Sequence, residues 1–295
     1  MQPLISVLVP CFNHENYVIE CLESIKNQTY SNYEIVIIDD GSTDGSKERV
    51  INWIEENNEL SVSFDSQVNK GISSTLNRLL LMAKGEFVAI CASDDLLTQD
   101  SLETRLRELQ NNENADVVFS DAYVIDENSK NISNSTFRTL FKINDLVFKN
   151  VNANESLIYN WCIPGPVTMV RRTFYDEFKY DNDKLAEDRP FYLNAMVKHK
   201  VIYSSSKSAY YRVHSSAITK SGRKYDVWLD VARSNYEYSN EFCSMSKLYL
   251  KSYIIDITLL RKTRKINLFA LFLVKAIRKS IVIFGYNFYV KFIKI

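Results

Sequence analysis

Apolar residues recur along this chain at two spacings, and their alternation over the first 120 positions predicts a parallel α/β sheet. Residues 6–10 are a β-rich run, residues 15–27 carry Val18, Leu22 and Ile25 at helical spacing, and residues 34–38 are again apolar and β-branched. Strand, helix, strand in that order opens a parallel sheet. A helix over 47–55, a short strand over 62–64, a helix over 72–83 and a strand over 87–91 continue the alternation, followed by a helix over 98–110 and a strand over 116–120.

The pattern changes in the second half. Residues 126–154 are polar, weakly periodic and rich in Asn and Ser, an excursion suited to substrate contact more than to core. A rigid turn at 161–166 (WCIPGP) leads into a strand over 167–170 and the pair Arg171-Arg172. Glu187-Asp188-Arg189-Pro190 opens a helix to residue 198, with Pro in its first turn, so Asp188 reads locally as an N-cap. Residues 209–214 predict a last strand that ends in His214, a position more often structural than ligating. Beyond residue 225 the pattern is helical and increasingly apolar. Its uncharged runs, 266–274 and 280–290, fall short of the ~20 residues that span a bilayer.

Charge separates the two parts further. The 295 residues hold 36 basic and 36 acidic side chains, but 245–295 carry eleven Lys and Arg against Asp256 alone, which leaves 25 basic and 35 acidic in the first 244. An acidic body argues against nucleic acid as the main partner, and a basic tail argues for an anionic surface. On a helical wheel Arg261, Arg264, Lys265, Lys275, Arg278 and Lys279 share an arc of about 140°, as a helix lying in a membrane interface would place them. Leu268, Leu271 and Phe272 share that arc, so packing on the body or on a second subunit, as a homo-oligomer, is the competing expectation. Five scattered cysteines with no Cys-x-x-Cys pair suggest reduced thiols. The first residues run into a strand with no basic region or cleavage site, so no signal peptide is expected.

Candidate chemistry gathers at strand ends. The apolar run 87–91 stops at Ser93-Asp94-Asp95, and two adjacent carboxylates repel unless a cation or a donor-rich ligand compensates, which suggests Mg²⁺ or Mn²⁺ bridged to a phosphate. An Asp-Asp pair also caps helices. The strand 34–38 ends in DDGSTDGS and the strand 62–64 is followed by Asn69-Lys70-Gly71, so Asp40, Asn69, Lys70, Asp94 and Asp95 would face one crevice at the carboxyl edge of the sheet. Neither Gly-x-Gly-x-x-Gly nor Gly-Lys-Ser/Thr is present, which leaves dinucleotide-binding and P-loop folds unsupported.

Taken in order, SVLVPCFNHENYVIECLESIKNQTY, EIVIIDDGSTDGS, NKG, AKGEFVAICASDD, AEDRPF and YRVH resemble glycosyltransferase family 2, over residues 4 to about 216. The resemblance implies an α/β fold of GT-A type: a mixed, mostly parallel sheet flanked by helices over 1–222, with its nucleotide-binding half in 1–120 and its acceptor half in 121–222. Residues 223–295 would be a helical, basic appendage. It implies inverting transfer of a sugar from a nucleotide-sugar donor, UDP being expected, to a saccharide or lipid-linked acceptor, with Mn²⁺ or Mg²⁺. By resemblance Asp40 contacts the base, Pro10, Asn69, Lys70 and Asp94 line the nucleotide, Asp95 holds the metal with His214 near it, and Asp188 is the catalytic base. Ala92 stands where the family often has Asp. Leu76 stands where it often has Arg, so Arg78 and Lys70 are expected to supply the positive charge. A nucleotidyltransferase and a non-catalytic homologue remain as alternatives. The expected location is cytoplasmic, at the cytoplasmic face of the inner membrane if the tail docks there.

Overall fold

The computed structural model describes residues 2–149, 153–214, 224–263, 278 and 280. In chain order the elements are β1 (Ile5–Cys11), α1 (Val18–Lys26), β2 (Tyr33–Asp39), α2 (Ser46–Glu56), β3 (Val62–Ser66), α3 (Ile72–Met82), β4 (Phe87–Ile90), β5 (Leu96–Leu97), α4 (Ser101–Asn111), β6 (Val117–Ile125) and β7 (Asn131–Ser133). They continue with α5 (Leu146–Lys149), α6 (Ala153–Tyr159), β8 (Met169–Arg171), α7 (Asp188–Lys198), β9 (Val201–Arg212), α8 (Lys224–Tyr238), α9 (Ser244–Lys251) and α10 (Ile254–Thr263).

The strands form one sheet in the order β3-β2-β1-β4-β8-β6-β9-β5, with β7 paired to β6. β3, β2, β1 and β4 are parallel, and the pairs β4·β8, β8·β6 and β9·β5 are antiparallel. All seven residues of β1 are buried, as are six of seven in β2, the continuous apolar run expected where both faces of a parallel sheet are covered. After β1 the chain builds β2 and β3 on one side, then returns to place β4 on the other. β1 and β4 therefore diverge at a switch point, where the loops leaving their carboxyl ends bound a crevice.

Three expectations change. The helix predicted from residue 98 begins at Ser101, because Leu96 and Leu97 first pair antiparallel with Tyr210 and Ala209. The last strand begins at Val201, eight residues before the predicted start, since it pairs with β6 from Val201 onward and buries Ser204 and Ser208 among the serines that broke the apolar pattern. Ser208 and Ser120 hydrogen bond at 2.6 Å, both buried. The 126–154 excursion is partly core: Phe137 and Phe148 are buried against Phe119 and Tyr203, with ring centroids 5.3–6.4 Å apart. Asp121 anchors that excursion, its Oδ1 accepting from Thr136 Oγ1 and the Phe137 N–H.

The chain divides into two compact units, one of residues 1–187 and 198–214, the other of 188–197 and 215–295. The start of α7 thus belongs with the C-terminal helices. Within that unit Leu229, Ala232, Ile257 and Leu260 form an apolar cluster, flanked by Tyr225 and Tyr253. Arg189 is buried, with Nε and Nη2 donating to Asn235 Oδ1 at 2.8 and 2.6 Å. Arg278, expected to face lipid, is instead buried. It donates to Asp256 Oδ1 at 2.9 Å and to Ser252 Oγ at 2.8 Å, and lies 3.7 Å from the centroid of Tyr253. A guanidinium buried on a carboxylate in this way is not presented to a membrane surface. Arg261 is exposed, while Arg264, Lys265, Lys275, Lys279 and the leucines of that arc lie outside the described residues. No helix among the described residues is long and apolar enough to cross a membrane.

β4 is led in by a buried polar junction. Ser6 Oγ donates to Glu34 Oε1, the Lys84 N–H donates to the same oxygen, and the Gly85 N–H donates to Ser6 Oγ. A Cβ on Gly85 would stand 2.5 Å from Ser6 N and 2.8 Å from Leu4 O, backbone atoms that cannot swing away. Gly85→Ala is therefore expected to cost about 1–3 kcal/mol of stability by overpacking, measured as a lowered denaturation midpoint at unchanged slope.

Candidate active site

The crevice is built by loops that hold one another. The loop after β1 and the loop after β2 exchange hydrogen bonds: Asn13 N–H to Ser42 Oγ, Thr43 N–H to Asn13 Oδ1, His14 N–H to Ser46 Oγ, Glu15 N–H to Asp44 Oδ2 and Gly45 N–H to Glu15 Oε2. Gly41, at φ +75°, lets the second loop press on a third, since a Cβ there would meet Asn69 N at 2.6 Å.

Asp40 is the bolt of that third loop. Its Oδ1 accepts from Gln67 Nε2 and the Lys70 N–H at 2.8 Å each, and its Oδ2 from the Gly71 N–H at 2.9 Å. Asn69 and Lys70 are exposed beside it, and the Lys70 ammonium makes no ion pair among the described residues. Arg78, expected to supply charge to a diphosphate, is paired with Asp65 and donates to Gln67 Oε1. Leu76 is in the core. Pro10 is buried in β1, its carbonyl accepting the Ser93 N–H at 3.2 Å, which ties the end of β1 to the Asp94-Asp95 loop.

The two carboxylates after β4 have different fates. Asp95 turns inward, with Oδ1 accepting the Arg212 N–H at 2.8 Å. Burial, and then the charge of Asp94, push its carboxyl well above the usual range, only partly opposed by that N–H. Asp94 is partly exposed, and its Oδ2 lies 3.0 Å from His214 Nε2 and 3.7 Å from His14 Nε2. Burial disfavours its charge, but the hydrogen bond with His214 and the fields of His14 and His214 outweigh that and hold its carboxyl below the usual range. Asp94 is the anion of the pair. Among the described residues, His14, Asp94 and His214 bring three ligand atoms within 4.8 Å of one another, a donor set that fits a divalent transition ion. The resemblance had put the ligand at Asp95; the oxygen within this group belongs to Asp94.

His14 and Arg212 were not singled out from sequence. His14 Nδ1 is 2.8 Å from Ser93 Oγ, and burial lowers the basicity of the ring against the pull of Asp94. Arg212 is fully buried and donates through Nε to the Asp94 carbonyl, Nη1 to the Asp126 carbonyl and Ser129 Oγ, and Nη2 to Glu20 Oε2, over the ring of Tyr17. Its sequence signal is an Arg within the short run AYYRV, two residues before His214. Asp188 opens α7 in the other unit, where burial, eased by the Arg189 N–H and guanidinium, raises its carboxyl to about 6.

This geometry agrees with what the chain is similar to. Residues 6–178 match the glycosyl transferase family 2 profile. Glycosyltransferase GlyG of Streptococcus pneumoniae is 30% identical over 229 residues, 75% of this chain and 74% of that protein. The chain belongs to glycosyl transferase family 2. Among solved structures, S. aureus TarS 1–349 in complex with UDP-GlcNAc matches with TM-score 0.61 and 22% identity over 86% of this chain and 71% of that one. The chain spans 42% of the longer TarS chain. The mannosyltransferase PcManGT of Pyrobaculum calidifontis, in complex with GDP-Man and Mn²⁺, matches with TM-score 0.66 and 18% identity over 96% and 75%. The expected GT-A-like architecture with C-terminal helices is thus the observed one.

Replacing Arg212 by Met removes a buried cation, leaves the Asp94 carbonyl without its side-chain donor, and leaves the Asp126 carbonyl and Glu20 to Ser129 alone. A loss of about 3–5 kcal/mol in unfolding free energy is expected, together with weakened nucleotide binding in any folded fraction. Calorimetric binding beside denaturant unfolding checks both.

Proposed function

We propose that this chain transfers a sugar, with inversion, from a UDP-linked donor to an acceptor hydroxyl. The observation that carries this reading is the cluster of Asp94 with two imidazoles at the switch-point end of β4, with the exposed Lys70 and Asn69 on the same carboxyl edge of the parallel strands. A divalent ion on Asp94 and His214 would supply positive charge for the leaving diphosphate oxygen without proton movement. Lys70 would add a mobile positive charge to the same end. Asp40, through the amides it anchors, would fix the loop that meets the nucleotide. Asp95, held by Arg212, would keep the Asp94 carboxylate aimed.

Asp188 would take the acceptor's proton. A carboxyl raised to about 6 is largely ionised at pH 7, yet basic enough to accept a proton in the transition state. The proposed acceptor is a lipid-linked saccharide at a cytoplasmic membrane face, supported by the basic excess of residues 245–295, where, apart from the internal Arg278–Asp256 pair, ten Lys and Arg stand against no acid.

UDP with Mn²⁺ should raise the melting temperature, and chelator should remove most of the rise. Asp94→Asn should abolish the metal-dependent part alone; stabilisation by UDP untouched by chelator or by Asp94→Asn would reject the metal role. Asp188→Asn should lower turnover by about 10² to 10⁴ while donor affinity stays near wild type. The pH profile provides a separate check. Because a base must be ionised, kcat should fall about tenfold per pH unit below about 6 and level off above it. Fully active Asp188→Asn, or a flat profile from pH 5 to 8, would remove Asp188 from the mechanism.

A further inference from the structure

We propose that His14 is a metal ligand which, with Asp94 and His214, makes a two-imidazole, one-carboxylate face that selects Mn²⁺-type ions over Mg²⁺. The inference rests on the metal-dependent part of the function proposed above and deepens it by assigning the third donor and the ion class.

Geometry is the first support. Cis ligands on an ion with bonds of ~2.1 Å stand roughly 3.0 Å apart in an octahedron and about 3.4 Å apart in a tetrahedron. Asp94 Oδ2 is 3.0 Å from His214 Nε2 and 3.7 Å from His14 Nε2, and all three ligand atoms lie within 4.8 Å of one another, so modest side-chain rotations bring them onto one centre. The imidazoles meet edge to face, with centroids 5.8 Å apart, and leave the exposed side of Asp94 as the remaining approach.

The second support is how His14 is held. Its backbone N–H is bound by Ser46 and its carbonyl accepts the N–H groups of Tyr17 and Val18. Asn13 before it takes the left-handed conformation at φ 54°, which breaks the extended run of β1 just ahead of His14. Ser93 Oγ faces Nδ1 at 2.8 Å. With Nδ1–H donating to Ser93 Oγ, the ring is in the tautomer that leaves the lone pair on Nε2, the atom facing Asp94. Ser93 thus acts as a positioning residue for a ligand across the crevice from its own loop.

Donor chemistry then sets the ion. Ala92 offers no oxygen and Asp95 is committed to Arg212, so the face has one oxygen and two nitrogens. Mg²⁺ demands oxygen ligands and dehydrates reluctantly, whereas imidazole affinity rises from Mn²⁺ through the later transition ions. Three donors on one face leave three octahedral positions for diphosphate oxygens or water.

The test is Mn²⁺ titration of the full chain, read from the EPR signal of free Mn²⁺, alone and with saturating UDP, and repeated in competition with Mg²⁺. Wild type should bind Mn²⁺, with Mg²⁺ displacing it only at about 100-fold excess or more. His14→Asn keeps an amide donor for Ser93 but withdraws Nε2; it should lower Mn²⁺ affinity on the order of 10- to 100-fold and change Mg²⁺ affinity by less than about twofold. Ser93→Ala should have a smaller effect on Mn²⁺. Unchanged Mn²⁺ affinity in His14→Asn, or equal losses for both ions, would overturn the assignment and leave the metal-dependent function standing. Absence of Mn²⁺ binding by wild type, with UDP present, would overturn both. Should His14→Asn lose its fold, pulsed EPR of wild type with Mn²⁺ counts the coordinated imidazoles: two are expected, and one would refute the proposal.

Discussion

The buried guanidinium of Arg212 is the interaction on which the site depends. Two adjacent carboxylates at the end of a buried strand cannot both be charged without compensation, and the compensation is mostly internal. Arg212 supplies a backbone N–H to Asp95, a guanidinium N–H to the Asp94 carbonyl, and further bonds to Glu20, Ser129 and the Asp126 carbonyl. It thereby joins the end of β9, the start of α1 and the turn after β6 around a single loop. A buried charge is tolerated only when its donors are met, and here each nitrogen has a partner.

That arrangement divides the carboxylates by environment. Asp95, enclosed and beside another anion, is pushed toward its neutral form, whereas Asp94, between two imidazoles, is pushed toward its charged form. A pair that looks equivalent along the chain becomes one enclosed group and one partly exposed, charged group. The crevice around it follows from connectivity: the return of β4 to the far side of β1 separates two loops that consecutive strands would have kept together. Hydrogen bonds between the loops after β1 and β2 then hold His14 in place before any ligand arrives.

The C-terminal unit treats charge in a different way. Arg189 and Arg278 lie inside it, the first on Asn235 and the second on Asp256 and two tyrosine rings. Basic residues in this part of the chain therefore do not form one surface. Some are internal ties of the helical cluster, and Arg261 faces solvent.

Local chemistry made much of this legible. The α/β order of the first half, the buried central strands and the gathering of Asp40, Lys70 and Asp94 at one sheet edge follow from period and from turn residues, which act over a few positions. Family membership followed from several weak motifs in a fixed order. Tertiary contacts decided the rest. Ser208 belongs to a strand because it meets Ser120 of β6 across the sheet; the aromatics of 126–154 belong to core because Phe119 and Tyr203 wait for them; and Arg278 is internal because Asp256 is within reach. His14 and Asp94 are eighty residues apart in sequence and 3.7 Å apart in space. No local pattern carries that distance, since it depends on the register of β1 against β4 and on a left-handed residue at Asn13.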